Sequence, residues 1–166
     1  PWLLLALAGC AAMQPENPGA DAAKPPPQLL LTVVAPAELK RLLETHLDLA
    51  RLPVYSEVTP DLTASVLEEA GRFAGEVLAP LNRTGDIQGS RLENGLVRTP
   101  DGFADAYRQF CDGGWNGLPF DPAFGGQGLP WVLGSAVQDM WDGANMAFGL
   151  CPLLPKAAVD ALHSFG

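Results

Sequence analysis

"TPDLTASVLEEAGRFAGEVLAP", residues 59–80, decides the fold class. Thr59 can cap a helix. Pro60 suits the first helical position, where its missing N–H costs nothing, and Asp61 favours the positive end of the helix dipole. Leu62, Val66, Ala70, Phe73 and Val77 recur at three- and four-residue spacing, and Leu67, Ala74 and Leu78 widen that apolar face. This periodicity predicts an amphipathic helix. Pro80 is expected to end it.

Downstream, a turn is expected over residues 82–86, followed by "RLENGLV" at 91–97, where Asn94-Gly95 between short apolar runs signals a two-residue hairpin. "TPDGFADAYRQFCDGGW", residues 99–115, predicts a second helix with Thr99 as its cap and Pro100 at its start. Phe103, Ala106, Tyr107 and Phe110 share one face of it, and Gly113-Gly114 stops it. A loop, "WNGLPFDPAFGGQGLP" at 115–130, precedes an apolar stretch over 131–154 and a last amphipathic piece over 155–165. The region is therefore expected to be mainly α-helical with one small hairpin. "FGGQG" at 124–128 lacks both GxGxxG and the Lys-Ser/Thr of a phosphate loop. A tight crossover that needs small residues for close approach accounts for it better.

Upstream, the chain has a different character. The apolar run 2–12 is too short to span a bilayer, which takes about 20 residues, but it has the length of a secretory h-region. It ends in Leu7-Ala8-Gly9-Cys10, which resembles the bacterial lipobox, and that resemblance makes Cys10 a lipidation candidate and a lipid anchor. Residues 14–27, rich in Pro, Ala, Gly and Asn, read as a tether. "QLLLTVV" at 28–34 predicts a strand, and Leu39, Leu42, Leu43, Leu47 and Ala50 mark an amphipathic helix after Pro36. His46 reads as a surface residue of that helix. The composite "LTVVAPAELKRLLETHLDLARL", residues 31–52, resembles the start of the first POTRA domain of outer-membrane translocation and assembly proteins. Its Leu39, Leu43 and Leu47 face must dock on the helical module or stay exposed, and loose packing of 28–52 is expected.

Charge and cysteines exclude several functions. The formal net charge is −9, with six basic and fourteen acidic residues over 54–166, so a nucleic-acid surface is not expected. Cys10, Cys111 and Cys151 lie far apart with no CxxC pair, and His46 and His163 are the sole histidines, so no metal site is expected. Cys111 and Cys151, flanked by apolar residues, are expected as reduced core side chains.

"EEAGRFAGEVLAPLNRTGD" at 68–86, "RLENGLVRTPDGFADAYRQF" at 91–110, "GGWNGLPFDPAFGGQGLP" at 113–130 and "MWDGANMAFGLCPLL" at 140–154 follow in order. Together they resemble the N-terminal helical domain of a bacterial acyl-CoA dehydrogenase, over about residues 54–166. The resemblance implies an enzyme that binds FAD and desaturates an acyl-CoA thioester: a carboxylate base takes the α proton and the flavin takes the β hydride. It places the flavin contacts mainly in a middle β-domain and a C-terminal helical domain, with the catalytic glutamate in the latter. The chain is expected to lack both, so it offers no catalytic residue. None of Glu68, Glu69, Glu76 or Glu93 matches the base. The implied contribution of this domain is a wall of the acyl pocket, with Met140, Trp141 and Ala144, on the helix before "CPLL", as the lining candidates.

Three units follow: a leader and Pro-rich tether over 1–27, a POTRA-like strand and helix over 28–53, and a truncated acyl-CoA dehydrogenase helical domain over 54–166. The compartments implied conflict, since acyl-CoA oxidation belongs in the cytoplasm and a lipobox delivers its protein to the envelope. One reading is a dehydrogenase fragment, inactive alone. Another is a non-enzymatic outer-membrane assembly-type lipoprotein. A third is a chimera of two coding fragments joined near residues 51–54.

Overall fold

A computed structural model of the chain describes residues 36–46 and 49–166. The leader, Cys10, the tether, the strand expected at 28–34 and Leu47 lie outside the described residues, as do the side chains of His46 and Ala50. Six α-helices and one hairpin make up the described part: α1 Pro36–His46, α2 Pro60–Phe73, α3 Ala79–Gln88, β1 Arg91–Glu93, β2 Leu96–Arg98, α4 Phe103–Asp112, α5 Trp131–Ala144 and α6 Met146–Phe165. Short 3-10 turns join α1 to α2 and α4 to α5. The architecture is mainly α, as the periodicities predict.

Thr59 caps α2, its Oγ1 accepting from Leu62 N at 3.2 Å, and Pro60 is the first helical residue. The buried face, however, is centred on Thr63, Leu67, Ala70 and Phe73 and continues through Ala74 and Leu78. Leu62 is exposed and Val66 and Val77 are half-buried, so the apolar stripe is rotated relative to the sequence expectation. Pro80 does not end the helix. Residues Ala74–Leu78 form a π turn that runs straight into α3, and Pro80 falls in the first turn of that next segment. Widening the ladder to i→i+5 at that point leaves the proline, which has no N–H to give, without a broken helix around it. The turn expected at 82–86 is accordingly helical.

β1 and β2 pair antiparallel with Arg91 opposite Arg98, Leu92 opposite Val97 and Glu93 opposite Leu96. Asn94 and Gly95 take φ of 52° and 78°, the two positive values this tight turn requires. Thr99 does not cap α4. The chain makes a further turn, Gly102 takes the cap position at φ 85°, and Asp101 is held instead by Gln88, which accepts from its N–H at 2.8 Å and donates to its Oδ2 at 3.0 Å.

The core gathers around aromatic rings. Trp141, fully buried, meets Phe110 edge-on at 5.0 Å between centroids, Trp115 at 5.3 Å and Phe73 at 6.2 Å, and Phe148 closes the cluster against Phe110 at 5.7 Å. Such edge-to-face pairs add about 0.5–1.5 kcal/mol each beyond area burial. Helix α1 lies along α2: Leu43 is buried in this core, Leu39 packs against it in part, and Pro36 sits directly over Gly71, where a Cβ would clash. Of the expected apolar face, Leu39 and Leu43 thus dock on the helical module, while Leu42 is exposed.

Cys111 and Cys151 are free and exposed, not core residues. Their apolar neighbours in sequence belong to the opposite, inward faces of α4 and α6, where Phe110 and Pro152 are buried. No helix among the described residues is long and apolar enough to cross a membrane.

Candidate functional site

The lining candidates lie on α5, which α6 follows directly. Asn145 breaks the chain between them. Its extended backbone (φ −157°, ψ 92°) ends α5, and its Oδ1 accepts from Phe148 N at 3.1 Å to cap α6. The helix that follows carries "CPLL" itself, with Pro152 and Pro155 inside it, so the lining candidates stand one helix before that motif.

Met140, Trp141 and Ala144 all sit on the inward face of α5, at 1%, 0% and 5% exposure. The structure brings them together in the aromatic core. None of the three lines the cleft between α5 and α6, whose walls come from Leu118, Trp131, Gln138 and Lys156 among others. Trp141 has one unmet requirement: its buried Nε1 has no hydrogen-bond partner among the described residues, a deficit that costs about 1–3 kcal/mol in a dry interior.

The cleft of about 400 Å³ between α5 and α6 lies on the neighbouring face. Leu118, Pro119, Trp131 and Leu153 give it apolar walls, and Gln138 and Lys156 supply polar groups. Gln138 is the hub of a polar relay that periodicity did not reveal. Its Nε2 donates to Asp142 Oδ1 at 2.9 Å and to the carbonyl of Gly149 at 3.2 Å, while its Oε1 accepts from Lys156 Nζ at 3.1 Å. Lys156 Nζ also stands 5.3 Å from the ring centroid of Trp141 and 5.7 Å from that of Phe110. The ammonium therefore covers the outer side of the core whose inner side holds the lining candidates. Burial pushes Lys156 below the ordinary lysine range, with Asp142 opposing the shift. Burial likewise raises the Asp142 carboxyl, and the Gln138 hydrogen bond works against it.

Gly149 is required by this relay: a Cβ there would fall inside van der Waals distance of Asp142 Oδ1. The sequence signal was slight, a Gln and an Asp four residues apart on one helix and a glycine early in the next.

The glycine-rich loop is built as a crossover. Gly125 N donates to Pro122 O, Gly126 N to Asp121 O, Gln127 N to Gly117 O and Gly128 N to Phe120 O, so the loop's own carbonyls take these donors. Gly126 presses on the carbonyl of Phe120 so closely that no side chain fits. Donors spent this way offer no cradle for phosphate, and this loop does not fit the pyrophosphate of a flavin. Glu68, Glu69, Glu76 and Glu93 are all exposed. Among the described residues no group of three His, Cys, Asp or Glu could hold a metal ion.

No protein-family model matches the chain. Over 115 residues, 69% of its length, it is 50% identical to the 3-methylmercaptopropionyl-CoA dehydrogenase of Ruegeria pomeroyi. The chain spans about a fifth of the length of that curated relative, 20% by residues matched. This similarity supports an acyl-CoA dehydrogenase domain in the chain.

Proposed function

We propose that residues 54–166 act as the N-terminal helical domain of an FAD-dependent acyl-CoA dehydrogenase, walling the pocket for the acyl chain of a CoA thioester. The observation that carries this reading is the 50% identity over 115 residues to an acyl-CoA dehydrogenase, joined to a helical fold whose core is built from the same motifs. The flavin, when bound to such an enzyme, supplies the hydride-accepting chemistry. The glycine-rich loop here offers it no phosphate cradle, so the contribution of this domain is steric and apolar. Met140, Trp141 and Ala144 form the rigid backing of the pocket wall. The α5–α6 pair sets their positions through Asn145, and a short, sulfur-containing acyl chain like that in the name of the Ruegeria enzyme suits a wall backed by a residue as large as tryptophan. A cytoplasmic setting, where CoA thioesters are found, goes with this reading. Alone, the domain does not desaturate acyl-CoA.

The test is a domain exchange in which residues 54–166 replace the corresponding part of the Ruegeria enzyme. Turnover of 3-methylmercaptopropionyl-CoA within about tenfold of the parent is expected, since domain equivalence leaves transition-state stabilisation nearly intact. A folded, flavin-loaded exchange enzyme with no turnover would overturn the pocket-wall role.

A further inference from the structure

Lys156 is one of three lysines in the chain, with Lys24 and Lys40. Lys40 is part-buried too, but its Nζ stands 3.9 Å from the carboxylate of Glu44 on the same helix. Lys156 differs in what surrounds its amine. Its Nζ is held by the neutral acceptor Gln138 Oε1 in place of a carboxylate, two aromatic rings lie beneath it, and it faces a cleft of about 400 Å³. The apolar walls Leu118, Pro119, Trp131 and Leu153 suit a short acyl chain, and they lead to the amine. Burial also depresses its pKa, which increases the share of neutral, nucleophilic amine near neutral pH.

We propose that Lys156 is a covalent acylation site, modified by acyl thioesters whose acyl end enters the α5–α6 cleft. The Nζ lone pair adds to the thioester carbonyl carbon, and collapse of the tetrahedral adduct forms the C–N bond and breaks the C–S bond. CoA leaves as its thiolate, and the proton shed by nitrogen converts it to the thiol through water. No oxidant or reductant is consumed. Asp139 and Asp160 line the same cleft and repel phosphate, so the acyl group and the neutral arm of the thioester enter while the nucleotide end stays outside. The amide product cancels a charge that covers Trp141 and attracts Asp142, so acylation loosens the outer side of the core. The choice of acyl-CoA as donor rests on the proposed function.

The test incubates the full chain at neutral pH with acetyl-CoA, and separately with 3-methylmercaptopropionyl-CoA. Peptide mass spectrometry follows acyl occupancy at Lys156 and Lys40 with time. Acylation of Lys156 at least about tenfold faster than of Lys40 is expected for a desolvated, cleft-bound amine. Gly134→Leu projects into the cleft from a site whose Cβ makes ordinary contact, 3.8 Å, with Pro119, and it is expected to slow the thioester reaction selectively. A small activated ester, N-hydroxysuccinimidyl acetate, is expected to label Lys156 in that variant and in the parent alike. Equal or slower thioester acylation of Lys156 than of Lys40 would overturn the proposal. So would preferential labelling by the small ester alone, which would make Lys156 reactive without a thioester site. These readouts use no flavin, so their failure is separate from failure of the domain exchange.

Discussion

Asn145 reaches across 67 positions of sequence to donate from Nδ2 to the backbone carbonyl of Leu78, 3.2 Å away in the buried interior. The same side chain caps α6 through Phe148 N. One amide thus ties the end of the π turn to the α5–α6 junction, and both of its ends are used where water cannot substitute.

Asn145→Ala is expected to lower stability by about 2–3 kcal/mol, the sum of a lost cap and an orphaned buried carbonyl. Asn145→Ser keeps an uncharged capping acceptor and loses the reach to Leu78, so it is expected to fall between the two. Urea denaturation of the three proteins orders them. An alanine variant as stable as the parent would contradict the tie.

Gly126→Ala and Gly149→Ala place a methyl group on the carbonyl of Phe120 and on Asp142 Oδ1, respectively. Each is expected to cost about 1–3 kcal/mol through forced repacking. The Gly75→Ala control has open space around its Cβ and is expected to match or exceed the parent, because alanine outranks glycine in a helix by about 1 kcal/mol. Thermal unfolding of the three variants separates these outcomes.

Some of this was legible in the sequence, because its causes are local. Thr59-Pro60 and Asn94-Gly95 specify backbone geometry within a few residues, and both elements form where they predict. Pro80 misled because the proline forbids one hydrogen bond, and the π turn at Ala74–Leu78, which a local motif does not signal, carries the helix past it. Cys111 and Cys151 misled because apolar neighbours along the chain lie about 100° round a helix from them, on the other face. The relay from Asp142 through Gln138 to Lys156 was invisible because it joins residues 18 apart across a helix pair, and its register is set by Asn145. Met140, Trp141 and Ala144 were readable as apolar positions on one helix, but their complete burial depends on Phe73, Phe110 and Phe148 from three other elements.

The relay predicts a pH dependence with a definite sign. Burial raises the Asp142 carboxyl above its ordinary 3.8, with Asp139 adding and Gln138 and Lys156 opposing. The folded chain therefore holds that proton more tightly than the unfolded one. The stabilisation is complete below 3.8 and is lost as pH rises through the folded value. Asp142→Asn keeps an acceptor for Gln138 and cannot ionise. Its urea midpoint relative to the parent is expected to rise as pH is raised from 3.8 upward, and a pH-independent difference would contradict the assignment.

Helix α1 adheres to α2 through Leu43, Leu39 and Pro36, and Leu43 is the one buried side chain described on it. Its amides are expected to exchange at least about 100-fold faster than those around Leu67 and Ala70, reflecting local opening well below global unfolding. Equal protection in hydrogen exchange would make α1 an integral part of the core.

The central claim, that residues 54–166 are an acyl-CoA dehydrogenase helical domain, is tested most directly by the flavin content of the exchange enzyme. With these residues in place of the corresponding part of the Ruegeria dehydrogenase, the purified protein is expected to be yellow and to carry about one flavin per chain, because a correctly seated domain leaves the cofactor site closed. A soluble, folded exchange enzyme that is colourless and cannot be reloaded with FAD would contradict the account.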